Sequence, residues 1–181
     1  VNGTAAEDFS RFDLNLNGSA PLALANGRLA PQVVNGIANF ELGLNGPPQL
    51  SALSGVISTE NARFAAPAQN IILNDLTGQV RLSGGRAELG FSGALDSGGR
   101  VALEGPVTLA APFNGTLELR LRDAVVRQPD LFETTANGEV RIDGPLTGGA
   151  RIGGIVELGT VEARIPNIGA SYAALDGLQH Q

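Results

Sequence analysis

The stretch ANGEVRIDGPLTGG, residues 136–149, carries the pattern that decides the fold. Val140 and Ile142 alternate with Glu139, Arg141 and Asp143, and the run breaks at Gly144-Pro145. Successive side chains of a β-strand point to opposite faces, so this spacing gives a strand one apolar and one polar face. The same beat recurs in NFELGLNGPP (39–48) and GRVALEGPVTL (99–109).

Period-2 alternation runs through most of the chain: Phe12-Leu14-Leu16, Phe40-Leu42-Leu44, Val80-Leu82, Leu89-Phe91, Val101-Leu103, Val107-Leu109, Leu117-Leu119-Leu121 and Val140-Ile142. Shorter versions are read at Leu22-Leu24 and Val161-Ala163-Ile165. At 55–58 the phase is open between Gly55-Ile57 and Val56-Ser58. Seven Asn-Gly pairs punctuate the runs, Asn17-Gly18, Asn45-Gly46 and Asn137-Gly138 among them. Asn-Gly suits the tight turns of antiparallel hairpins, or bulges where a strand bends. Only residues 60–76 and 127–136 leave room for a turn of helix, and prolines interrupt both. A weak internal repeat links 35–64 with 137–165: Asn-Gly, an alternating strand, Gly-Pro, a glycine-started strand, then Ala-Arg. The chain therefore reads as a single all-β segment of a longer repetitive protein. Its core sheet spans about 12–168, and 169–181 form a loose or truncated tail.

Composition narrows the function. All twelve basic residues are arginine against 18 acidic ones, and a net charge of −6 argues against nucleic acid as partner. No apolar run approaches the ~20 residues that a membrane helix needs. The absence of cysteine and lysine removes thiol nucleophiles, disulfides, Schiff-base chemistry and the lysine of a phosphate loop. His180, the one histidine, sits next to the end of the chain, whereas a triad or metal site needs a rigidly held ring. Glu41, Glu118 and Glu139 occupy polar strand positions rather than a carboxylate pair. The expectation is a non-enzymatic protein without cofactor or metal. Arg120 and Arg122 read as solvated strand-face residues, with lipid headgroups or a partner's carboxylates as the sharper alternative.

A sheet with one apolar face must bury it against something. With almost no helix, the choices are a second sheet, a closed barrel, or a sheet curled over itself. The inward set is mostly Leu, Val, Ile and Ala. It fills a plain sandwich core or lines an open trough for apolar ligands. About a dozen strands of ~6 residues would make a sheet ~55–60 Å long and ~20 Å wide. The lining residues expected are Phe40, Leu42, Leu44, Val80, Leu82, Leu89, Phe91, Val101, Leu103, Leu117, Leu119, Leu121, Val140 and Ile142. An open sheet also ends in unpaired backbone groups, which accept a strand from another chain.

From about Phe12 to Ile168 the chain resembles the C-terminal domain of the TamB family, the inner-membrane component of the translocation and assembly module of Gram-negative bacteria, with AsmA-like relatives. The resemblance rests on LSGVISTENARF (53–64), on LNDLTGQVRLSGGRAELGFSGALDSGGRVALEGPVTL (73–109) and on GEVRIDGPLTGGARIGGIVELGTVEARIPNIGAS (138–171). It implies an elongated, taco-like, mostly antiparallel sheet with an apolar concave interior. It also implies a periplasmic place in a parent anchored in the inner membrane by a segment outside this chain. The implied role is phospholipid transport to the outer membrane, or support of outer-membrane protein (autotransporter) assembly, with an outer-membrane partner barrel. The implied ligands are phospholipid acyl chains held in the groove. A chaperone-like module that holds outer-membrane protein strands by groove or edge is the second reading. A closed structural or adhesin sandwich or solenoid is the third.

Overall fold

A computed structural model describes residues 2–8, 10–128 and 132–163. Strands β1 (Asn2–Ala5), β2 (Phe12–Pro21), β3 (Val33–Asn35), β4 (Ile37–Gly46), β5 (Leu53–Ala66), β6 (Ile71–Ser83), β7 (Arg86–Leu95), β8 (Arg100–Thr108), β9 (Asn114–Gln128), β10 (Phe132–Pro145), β11 (Arg151–Leu158) and β12 (Glu162–Ala163) all belong to one sheet. Its order is β1-β2-β4-β5-β6-β7-β8-β9-β10-β11, with every described pairing antiparallel. β3 pairs with the C-terminal part of β5, and β12 with the N-terminal end of β10. The end strands do not pair, so the sheet is open, a curled all-β fold and not a barrel.

The sheet begins at Asn2, earlier than the alternation at Phe12 implies. The run expected at Leu22-Leu24 is not a strand. Residues Leu22–Ala25 form a 3-10 turn and Asn26–Leu29 one turn of α-helix, set between Pro21 and Pro31 in an Ala/Leu-rich stretch that favours helix over sheet. The side-chain carbonyl of Asn26 accepts the Val34 backbone N–H at 2.8 Å and ties this turn to β3. Residues 60–76, read as room for helix, are strand except for one 3-10 turn at Pro67–Gln69 and the turn residue Asn70. The described part of 127–136 is strand as well.

Strand length departs most from expectation. β5, β9 and β10 run 14, 15 and 14 residues, because bulges let a strand continue where its sequence alternation breaks. Asn61, Asp75 and Asp123 take φ of 54°, 51° and 49° at these points, a conformation that Asn and Asp adopt more readily than other side chains. Each coincides with a register shift, between Thr59 and Ala62, between Asn74 and Thr77, and opposite Ala136/Gly138. Asn137 locks the last one: its Oδ1 accepts the Asp123 N–H at 2.7 Å, and its Nδ2 donates to Asp123 Oδ1 at 3.2 Å. Asn137-Gly138 therefore sits inside β10 opposite a bulge of β9, where Arg122 and Asp123 together oppose Asn137. The two-residue hairpin turn belongs to Gly84-Gly85 between β6 and β7, with φ of 56° and 75°. At about 3.3 Å per residue the long strands reach ~45 Å, whereas β2, β4, β7, β8 and β11, of 8–10 residues, span about 26–33 Å.

The internal repeat is visible in the register. Gly55 of β5 lies opposite Leu42 of β4, and Gly154 of β11 lies opposite Val140 of β10. Gly46-Pro47 and Gly144-Pro145 end β4 and β10.

A candidate apolar groove on one sheet face

Directly opposed residues on antiparallel strands share a face, so the register places every expected lining residue. Phe40, Ile57, Val80 and Leu89 form one row across β4 to β7. Phe91, Leu103, Leu119 and Val140 form a second across β7 to β10. Leu42 joins Leu82 through Gly55, Leu44 faces Leu53, Val101 faces Leu121, and Leu117 faces Ile142. Leu89 and Phe91 are two residues apart on β7, so the rows are continuous. All fourteen expected residues lie on this one face, each on the near side of the nearest bulge.

Sequence reasoning missed Ile57, whose phase was ambiguous because Val56 beside it is also apolar. Val56 proves to be on the polar face, between Glu41 and Arg81. Leu14 and Leu16 extend the lining on β2, opposite Leu44 and Leu42. Beyond the bulges the face is continued by Ala62 and Phe64 on β5 and by Leu73 on β6, with phase reversed, a reversal that no alternation count predicts.

This face is lined but not closed. Among the described residues no large side chain is fully buried, and six of the nine buried apolar residues are alanines. A sandwich core would instead bury its Leu and Phe. Leu82 and Leu117 are the most enclosed of the expected lining at 7% exposure each, and the other twelve are half-buried. No second sheet exists among the described residues to cover them. Their burial comes from a sheet that curls toward its apolar side.

Glycine makes that curl possible. A concave face has less room than a convex one, and large side chains here lie across from glycines: Phe40 opposite Gly18, Phe91 opposite Gly78, Leu89 opposite Gly105. A Cβ at Gly18 would stand 3.3 Å from the Phe40 ring.

The opposite face is charged and solvated. Arg120 is ion-paired with Glu104 at 2.6 Å and Glu139 at 3.2 Å, and with Glu118. The hydrogen bond to Glu139, with the charges of Glu104 and Glu118, raises the guanidinium pKa. Arg120 is thus spent within the sheet, whereas Arg122 is exposed opposite Arg100. Arg120→Ala leaves three carboxylates crowded together. It is expected to lower the melting temperature slightly at low salt, with the difference vanishing near 1 M salt, where such exposed pairs are screened. A thermal melt series in salt reads this directly.

A depression of about 730 Å³ also lies on the polar side, over Gly153 and between Glu118, Glu139, Arg141, Arg151 and Ile155. Long side chains rise there beside a residue that has none, so it is a notch open to solvent. His180 and the segment 164–181 lie outside the described residues. No family model, curated protein or solved structure matches the chain.

Proposed function

We propose that the curled sheet is a non-enzymatic, periplasmic, TamB-like module whose apolar face shields phospholipid acyl chains on their way to the outer membrane. The observation that carries this reading is a continuous apolar face running from β2 to β11 of an open sheet, half-buried as far as β10, with a charged face behind it. Each methylene removed from water contributes about 0.8 kcal/mol, so an acyl chain lying along the rows is held firmly. The rows repeat Leu, Val and Phe with little to distinguish one station from the next. A chain can therefore slide without crossing a site that binds it uniquely. The outer-membrane barrel partner of such a module would act at an end of this path.

Photo-crosslinking in living cells tests the reading. A photoreactive residue is placed at Leu42 and Leu119, with Glu41 and Glu88 as controls on the polar face. Phospholipid adducts at the two leucines and none at the glutamates are expected. Adducts to outer-membrane protein strands at the leucines move the function to assembly. Failure of both leucines to capture any partner overturns the groove reading.

A further inference from the structure

β11, RIGGIVEL, is the outermost strand at its end of the sheet, and among the described residues only β10 pairs with it. All eight of its residues are exposed, with Ile152 at 73% and Ile155 at 75%. Edge strands are normally guarded by lysine, proline or a bulge that discourages pairing. β11 has none of these, and its register with β10 is unbroken over all eight residues. Its two charges, Arg151 and Glu157, point to the polar face and form no ion pair among the described residues.

We propose that β11 pairs antiparallel with β11 of a second copy, about a two-fold axis at Gly154, joining two sheets into one. The register follows from three requirements. Apolar face must continue as apolar face, which restricts the axis to pass through a residue rather than between two. With the axis at Gly154, Arg151 of each copy faces Glu157 of the other, giving two symmetric ion pairs on the polar side. Moving the axis to Gly153 or Ile155 sets Arg151 opposite Ile155, or Glu157 opposite Gly153, and loses both. The same axis also sets Ile155 of one copy opposite Gly153 of the other, where a Cβ would meet nothing within 4 Å. That large-on-glycine pairing is the one the sheet itself uses at Phe40 and Gly18. On the apolar side Ile152 faces Val156, so the two apolar faces run together. The inference stands on β11 alone and holds whatever the groove carries.

Charge reversal in the full chain, read by sedimentation and light scattering at tens of micromolar protein, tests it. The wild type is expected at twice its 18.5 kDa. R151E and E157R each place like charges opposite one another in self-pairing, and each is expected to dimerise at least tenfold more weakly. Mixing the two restores both ion pairs, so the mixture is expected to regain the dimer. Circular dichroism checks that each variant keeps its sheet. A monomeric wild type overturns the proposal. So does a dimer that neither reversal weakens, or a mixture that stays monomeric while both variants are folded.

Discussion

Gly55→Ala is expected to destabilise the protein by about 3 kcal/mol, whereas Gly90→Ala is expected to be neutral or slightly stabilising, both measured by urea denaturation. Gly55 sits at φ +121°, where an L side chain is strained at a cost of about 1–3 kcal/mol. Its added Cβ would also run into the backbone carbonyl of Glu41 and come within 3.0 Å of the Leu42 Cα. Those are atoms of the neighbouring strand, and they cannot give way without opening the Leu42–Gly55 pair, which adds about one hydrogen bond to the loss. Gly90 lies on the polar face opposite Gln79 and Glu104, and a Cβ there meets nothing within 4 Å. Replacing it reduces the entropy of the unfolded chain, a gain of about 0.4–1 kcal/mol. Equal responses at the two sites would sink the argument that the positive φ of Gly55 and its close approach to β4 require glycine there.

The contrast between these two glycines also shows what was legible in the sequence. Alternation at Phe40-Leu42-Leu44 or Leu117-Leu119-Leu121 depends on local spacing alone, so face assignment there needed no knowledge of neighbours. The same holds for the all-β class and for the hairpin repeat, since Glu41-Leu42 and Glu139-Val140 precede their Gly-Pro breaks at equal spacing. Bulges are different. Asn61, Asp75 and Asp123 reverse the phase through a left-handed residue, and nothing in ENARF or LNDLT distinguishes such a residue from a turn that ends the strand. Strand length, and with it the width of the sheet, was therefore underestimated. Asn137-Gly138 stays open in the sequence between a hairpin tip and a bulge, and only the bond from Asp123 to Asn137 Oδ1, a contact across strands, decides for the bulge. The apolar concave interior is implied by the family resemblance and not by alternation, which assigns faces but no curvature. The glycines that face large side chains across it are known only once the strands are in register.

Leu119→Asp separates a groove from a core, and its expected effect on ligand binding is the largest of any single lining change. Leu119 sits in the middle of the row Phe91–Leu103–Leu119–Val140 and is half-buried. In an open groove the carboxylate keeps part of its water, and the fold is expected to lose only about 1–2 kcal/mol, below the 2–5 kcal/mol that removing a fully packed leucine costs. An acyl chain arriving over that position would have to strip the remaining water from the charge. It would also lose the leucine's apolar contact, worth about 1.5–3 kcal/mol when complete. Together these weaken a long-chain acyl probe by about 3 kcal/mol, or roughly 100-fold. Leu119→Ala removes contact area without adding charge and is expected to cost about tenfold in binding. Glu88→Gln, on the polar face, is expected to change nothing. Fluorescence titration with the probe, paired with urea denaturation of each variant, gives both numbers. If Leu119→Asp unfolds the protein as a core substitution does, the apolar face is closed in solution and the transport reading falls. If the variant stays folded and binds the probe as tightly as the wild type, the chain is held elsewhere and the rows across β4 to β10 are not its path.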